Sequence, residues 1–490
     1  MLEDDSLLRI FSYYRLNDEE NWNLRLQWRK LANVCQRWRY LVFDSRSHLD
    51  MCLLLTNDSP PIDILRHLPS LPVVIDYSAR SRTVARKDED NIRFGLQRHG
   101  RICRVALRAP SSSLRMWLEP MNKPFPRLGV LSLLSTTTEE MSPVLPETLR
   151  APFLYRLSLH GIGLPRRLLL LSSMIALSTL SLTHIPDACY FPPIHLVAQL
   201  QHLLYLEELS IGFAIPVPLP SSEGELLPRP ISPVTLPALR WLTFRGVGAY
   251  LENLVAQISA PLLEQLTLTL FFELAFTLVN LGEFIRRTEG FVCLVSRVIF
   301  NEEGASINAS HDDQRGIGKF GLYVNVNCET LDWQIDSATQ VCGALGNVLS
   351  AVEDLTIDID MDVMRSFWEN DTLDSTLWHE LLLPFIGVKK LHISFSLTLE
   401  LSQALESAPE ELVLELLPEL QELEVQLEID SARKAFCAFV EARESAGRPI
   451  YLSASPIPQY LNQAMQLISG YQTFIHAQEK TISSYDELRR

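Results

Sequence analysis

A six-residue frame of apolar and polar positions recurs along most of this chain. It reads apolar-x-x-apolar-x-apolar. Ten copies follow one another: Ile102–Leu107, Leu128–Leu133, Leu154–Leu159, Leu177–Leu182, Leu206–Ile211, Leu239–Phe244, Leu263–Leu268, Val352–Ile357, Val388–Ile393 and Leu420–Val425. From the last apolar residue of one copy to that of the next, the steps are 26, 26, 23, 29, 33, 24, 89, 36 and 32 residues. The long gap has room for about three more units. Val295–Phe300 fits the frame there, and Gly321–Val326 fits it less well.

Alternation over the last three positions of each copy predicts a strand with one inward face. The leading apolar residue packs at the turn entering the strand. The polar residue within each strand (Ser158, Ser181, Ser210, Thr243, Thr267, Thr356) then points out of the opposite face. Between strands, Leu196–Leu206 has helical spacing, with Leu196, Val197, Leu200, Leu203 and Leu204 on one stripe. The apolar run Leu168–Thr183 predicts a buried helix tail followed by a strand, and falls short of the ~20 residues that span a bilayer. Units of this size cannot bury their apolar side alone. Stacking them gives a continuous core and a curved parallel sheet.

The pattern changes in several places. Pro216–Pro230 and Asn301–Gly318 are polar and read as loops. Residues 431–490 leave the frame. A helix is predicted over Ala432–Ala446 with a polar tail behind it, together a terminal cap for an open sheet edge. Residues 51–100 read as a connector into the array, with turns at Pro60-Pro61 and Leu68–Pro72 and a strand starting at Val73. The basic stretch Arg80–Lys87 reads as a solvated loop. Residues 1–50 are helical in period: Leu7, Ile10 and Phe11 share a face behind Asp4 and Asp5. Trp28, Leu31, Cys35, Trp38, Leu41 and Val42 share a second stripe, with Arg29, Lys30, Gln36, Arg37 and Arg39 opposite. So short a module buries little core. Its apolar surface predicts docking on a partner or on the following domain.

Composition narrows the function classes. The chain has 490 residues, 47% hydrophobic and 21% charged, an ordinary globular mixture that excludes a disordered chain. A net charge of −16 opposes binding of duplex nucleic acid. The charge is uneven. Residues 1–110 hold 18 Lys and Arg against 14 Asp and Glu, whereas Glu400–Asp430 holds ten acidic residues and no basic one. Two surfaces with different partners are expected, and Asp358, Asp360, Glu422 and Glu424 point to a basic partner near the C-terminal strands. The eight cysteines include no C-x-x-C and no zinc-ligand spacing with His, which predicts buried free thiols in a reducing compartment. The start Met-Leu-Glu-Asp-Asp is too acidic for a signal peptide. A soluble cytoplasmic or nuclear protein without membrane contact is expected.

Motifs that carry chemistry are missing. There is no G-x-S-x-G, P-loop, H-E-x-x-H or EF-hand loop. Gly316-Ile-Gly318-Lys319 lacks the strand-to-helix setting of a phosphate cradle. His311-Asp312-Asp313 and the alternating Asp358, Asp360 and Asp362 could ligate a hard cation, but read as a loop and a solvated strand end. Asn308-Ala-Ser310 fits a glycosylation sequon that the expected compartment leaves idle. The chain is expected to be no enzyme, with no cofactor and no metal.

Repeats of this form resemble leucine-rich repeats of the irregular, long-unit kind. The position after the strand, usually Asn or Cys in that family, falls at His160-Gly161 and Thr183-His184 here. Leu2–Tyr13 and Leu31–Val42 resemble the two halves of an F-box, with Val34-Cys35-x-x-Trp38 and Leu41-Val42 the most specific part. Glu3 stands where that family usually has Pro, and an insertion around Asn17–Gln27 separates the halves. F-box proteins with a long insertion and irregular repeats are typical of fungi, and this chain resembles them. The resemblance implies an α/β fold: a small N-terminal all-helical F-box module (1–50), a connector (51–100), a leucine-rich-repeat-like α/β solenoid (101–430) and a C-terminal helical cap and tail (431–490). It implies a substrate-recognition adaptor of a Skp–cullin–F-box type ubiquitin ligase. Leu2, Leu7, Ile10, Phe11, Leu31, Val34, Cys35, Trp38 and Leu41 would contact the Skp-family adaptor, and through it a cullin–RING ligase, while the repeats hold a protein substrate. The alternative is a repeat scaffold outside the ubiquitin system, whose N-terminal helices cap the solenoid.

Overall fold

The structure, a computed structural model, describes residues 3–13, 28–45, 52–57, 59, 62, 71–79, 84–137, 141–165, 168, 170–216, 233–288, 290–311, 321–328, 330–359, 375–406, 415–426 and 429–455. It is mixed α/β, rich in parallel strands. The chain divides into two compact units, Met1–Phe271 with Thr277–Phe291, and Phe272–Phe276 with Val292–Arg490. The division falls inside the stretch 101–430 that the repeat pattern presents as one array.

The strands of the first unit are β1 (Leu53–Leu55), β2 (Val73–Tyr77), β3 (Ile102–Ala109), β4 (Val130–Ser135), β5 (Arg156–His160), β6 (Thr179–Ile185), β7 (Glu208–Phe213), β8 (Val234–Thr235), β9 (Trp241–Gly246), β10 (Ile258–Ser259) and β11 (Gln265–Phe271). Nine of them pair in parallel in the order β1-β2-β3-β4-β5-β6-β7-β9-β11, and β8 pairs with β10 apart from these. The frame sets the register. Val105, Leu131, Leu157, Leu180, Leu209, Leu242 and Leu266 stand side by side, and so do Leu107, Leu133, Leu159, Leu182, Ile211, Phe244 and Leu268. Across both units, none of the apolar positions in the ten copies is more than 4% exposed. Each buried Leu contributes roughly 2–3 kcal/mol of transfer free energy. The sheet begins before residue 101, since β1 and β2 already lie in the span read as a connector.

The crossovers are less regular than the strands. Helices Arg86–Leu96, Ser111–Leu118, Pro193–Leu200, Gly248–Val255 and Val279–Arg286 follow β2, β3, β6, β9 and β11. Between β5 and β6 the described residues hold only the short 3-10 turn Leu171–Ser173, in place of the expected helix tail. The helix expected over Leu196–Leu206 runs from Pro193 to Leu200, with proline at its first position, where a missing N–H costs nothing. Because it ends there, Leu203 and Leu206 are buried from irregular backbone and Leu204 is left exposed. Neighbouring units also cap one another. Helix Val279–Arg286 has no capping side chain of its own, but Glu252 from the preceding helix accepts 2.8 Å hydrogen bonds from Asn280 N and Leu281 N. Its carboxylate thus meets two orphan donors at the positive end of a helix dipole.

The second unit contains β12 (Val295–Asn301), β13 (Gly304–Ser310), β14 (Gly321–Asn327), β15 (Asp354–Ile359), β16 (Lys390–Ile393), β17 (Glu422–Val425) and β18 (Tyr451–Ala454), in the order β14-β13-β12-β15-β16-β17-β18. The β12–β13 and β13–β14 pairs are antiparallel, and the rest are parallel. This corrects the reading of Asn301–Gly318 as a loop. Ala305, Ile307 and Ala309 alternate on the buried face of β13. Asn301 Oδ1 closes the hairpin by accepting from Glu303 N at 2.9 Å and Gly304 N at 3.0 Å. Gly304 has φ +146°, and a Cβ there would sit 1.8 Å from the Val326 carbonyl oxygen. Only glycine fits that approach.

The frame at Val295–Phe300 is two residues out of register. Val298 stands opposite Ile357, so Ser296 occupies the leucine row beside Leu355 and is buried. Helix Ile429–Ser445 matches expectation closely, but the tail behind it adds β18 to the free edge of β17. Within this helix the buried Arg443 donates to Leu416 O at 3.2 Å, Pro418 O at 3.4 Å and Leu420 O at 3.5 Å. These bonds close off carbonyls of the segment entering β17. Asp312, Asp313, Gly316–Lys319, Asp360 and Asp362 lie outside the described residues.

Candidate interaction sites

The N-terminal helices are α1 (Asp4–Tyr13), α2 (Trp28–Ala32) and α3 (Gln36–Asp44). Asp4 and Asp5 occupy the first turn of α1, where a carboxylate complements the helix dipole. Cys35 is the N-cap of α3, and its Sγ accepts from Trp38 N at 3.4 Å. Arg39 Nε donates to Ala32 O at 2.9 Å, tying α3 to the end of α2. Arg37 reaches Asp4 at 2.5 Å, an exposed pair worth about 0–1 kcal/mol. Phe11 meets Trp38 edge-to-face, with ring centroids 4.7 Å apart.

The structure divides the nine residues implied by the resemblance. Leu7, Phe11, Leu31 and Leu41 are buried within this chain, together with Val42. Their apolar area is already used. Ile10 is 40% exposed, Val34 is 61% exposed, Cys35 is exposed and Trp38 is half-buried. Tyr40, which the stripe did not include, is 70% exposed. Leu2 lies outside the described residues. Helical period groups apolar residues on a stripe but does not say which part of it faces the module's own core.

A second candidate surface is the polar side of the first unit's sheet. Ser132, Ser158, Ser181, Ser210, Thr243 and Thr267 form one aligned row, as the frame predicts. The next position along each strand pair carries basic groups. Arg108 aligns with Leu134, Leu134 with His160 and His160 with Thr183; Gly212 aligns with Arg245. A bulge after Leu182 puts His184 at φ +52°, with its ring centroid 4.1 Å from that of His160. Burial pushes both imidazoles below their ordinary pKa. His184 and Arg108 lower His160 further, and Arg245 lowers His184. Sequence reasoning missed this group, whose members are up to 137 positions apart. The available signal was the residue directly after the last apolar position of the frame: Arg108, His160, Thr183 before His184, and Arg245.

The polar side of the second unit is built differently. Asp354 and Glu424 flank His392 at 3.3 Å and 3.0 Å, and Lys390 reaches Glu422 at 3.4 Å and Glu424 at 3.7 Å. Arg297 pairs with Asp358. The hydrogen bond to Asp354 raises the His392 pKa, burial opposes it, and the charges of Asp354 and Glu424 add to the rise. Asp358, Glu422 and Glu424, expected to attract a basic partner, therefore already have cationic partners in the chain.

Other expected chemistry has a plain outcome. Among the described residues no three His, Cys, Asp or Glu side chains gather as a metal site. No described helix is long and apolar enough to cross a membrane. None of the eight cysteines is in a disulfide. Five are buried and Cys103 is half-buried, and burial pushes Cys293 up to about 11. Cys35 and Cys437 depart from the expected burial and are exposed. No protein-family model matches this chain, and neither does any curated protein.

Proposed function

We propose that this chain is a substrate-recognition adaptor of a Skp–cullin–F-box type ubiquitin ligase. Helices α1–α3 dock on the Skp-family subunit, and the array of strand-and-helix units acts as a leucine-rich-repeat-like solenoid that holds a protein substrate. Catalysis lies in other subunits; this chain contributes proximity and orientation. The observation that carries the reading is the exposure of Ile10, Val34 and Tyr40, with half-buried Trp38, in a helical module that buries Leu7, Phe11, Leu31, Leu41 and Val42. These positions fall in the segment that resembles an F-box. Apolar helix surface of this kind suits helix-in-groove recognition, in which a few anchors dominate the energy.

The burial of Leu7, Phe11, Leu31 and Leu41 changes how the reading is tested. A charge at any of them would unfold the module whether or not it docks. Ile10→Glu and Val34→Glu change exposed positions and leave the buried set alone. Co-purification of the full chain with a Skp-family subunit should fall by about 30-fold or more in either variant. Undiminished co-purification, or none with the natural chain, overturns the assignment. The competing reading, a repeat scaffold with N-terminal capping helices, draws on the same four buried residues. It predicts no Skp-family binding and no effect of either substitution.

A further inference from the structure

On the polar sheet face of the first unit, we propose an oxyanion site formed by His160, His184 and Arg245 around Gly212, with Arg108 adding charge from the far side, whose ligand is a phosphate monoester. The argument starts from register. Five strands separate function from sequence here: β3 supplies Arg108, β5 His160, β6 Thr183 and His184, β7 Gly212 and β9 Arg245. The bulge in β6 holds His184 in left-handed backbone and brings its ring onto His160. Bulges re-aim side chains, and non-glycine residues held at positive φ concentrate at functional sites.

Gly212 puts no side chain on the strand between those that carry His184 and Arg245. A Cβ built on it would lie 3.5 Å from Arg245 Cβ, 3.7 Å from Thr183 Cα and 3.9 Å from His184 N.

Among the described residues the group lacks a counter-charge. Arg245 Nε is buried with no hydrogen-bond partner, and its guanidinium carbon lies 5.6 Å from the centroid of the Phe271 ring. Neither Arg108 nor Arg245 has an ion pair among the described residues. Thr183 Oγ1 donates to Leu159 O at 3.4 Å and is bonded to His160 Nδ1 at 3.0 Å. The Nδ1–H donor that this arrangement requires leaves His160 Nε2 without a partner among the described residues. Other charges on this face are placed elsewhere. Arg104 lies 3.9 Å from Asp76, and Glu208 is four residues back along β7 from Gly212.

Chemistry then selects the ligand. A cation would face two guanidinium groups, so the histidine pair is no metal site. A guanidinium Nε buried without an acceptor is costly, and a phosphate monoester presents several acceptor oxygens to Arg245 and, as its monoanion, an O–H that Nε2 of neutral His160 accepts. The chain's net charge of −16 opposes a long polyanion at a distance, whereas one compact phosphate feels mainly the local row. The source is either a free phosphate ester or a phosphorylated side chain of another protein.

The test is titration calorimetry on the full chain, without any Skp-family subunit, using inorganic phosphate, a phosphoserine peptide and the same peptide unphosphorylated. Binding of either phosphate probe, with none of the plain peptide, is expected. Arg245→Gln and Arg108→Gln should weaken it by about tenfold or more and by less, respectively. Lys390→Gln, in the second unit, should leave it unchanged, and unaltered melting of the variants separates lost binding from lost fold. Tighter binding of the peptide assigns the source to a phosphorylated protein, and equal binding to a free phosphate. Failure of both phosphate probes to bind, or binding indifferent to Arg245→Gln, overturns the proposal.

Discussion

The two units bury the same six-residue frame and differ in what they place on the other side of it. In the first, hydroxyls line up in a row, and Arg108, His160, His184 and Arg245 beside them have no acidic partner among the described residues. In the second, Lys390, His392 and Arg297 sit among Asp354, Asp358, Glu422 and Glu424 and are matched across strands. Strand period explains how both are possible. Inward residues fix register, because a one-residue slip would turn every leucine outward. Outward residues are then free to differ. An unmatched surface is available to a ligand, and a matched one stabilises its own sheet.

The comparison can be broken or sharpened in four ways. The largest effects belong to the shared core. Leu180→Ala in the first unit and Leu391→Ala in the second should each cost about 2–5 kcal/mol, read by denaturant unfolding. A much smaller cost in one unit would mean that the two are not built alike. Next is Arg443→Met, which leaves the carbonyls of Leu416, Pro418 and Leu420 without their donor. A loss of about 2–3 kcal/mol is expected, with loosened hydrogen exchange confined to the second unit. Glu252→Ala removes the cap of helix Val279–Arg286 and should cost about 1–2 kcal/mol, felt in the first unit alone.

The smallest effect is one of pH, and its sign differs between the units. His392 is raised above 6.5, so its contribution is complete below that pH and is lost as pH rises through the folded value. His160 and His184 are lowered. The unfolded chain therefore protonates first, and the first unit loses stability as pH falls below 6.5. Exchange protection, corrected for intrinsic rates, should rise in β15–β17 on acidification and fall in β5–β6. His392→Gln should remove the first trend only.

Much of this fold is legible in the sequence. The frame is a physical object, three inward positions per unit, and it located β3–β7, β9, β11 and β15–β17. It missed strands whose inward residues are few or small. β13 buries Ala305, Ile307 and Ala309 amid Gly, Ser and Asn, which read as a loop. β12 carries Ser296 in the leucine row, and this shifted the apparent frame by two. The residues proposed to dock were legible as a stripe, but burial within the module depends on how α1 packs against α3, which no period encodes. The basic group was hidden more deeply, since only register unites Arg108, His160, His184 and Arg245.

The central proposal is that the N-terminal helices are a docking surface. Hydrogen exchange of the full chain with and without a Skp-family subunit tests it most directly. The account predicts new protection in residues 3–13 and 28–45, and none on the sheet faces. Unchanged exchange in those helices, or protection appearing only on the strands, would contradict it.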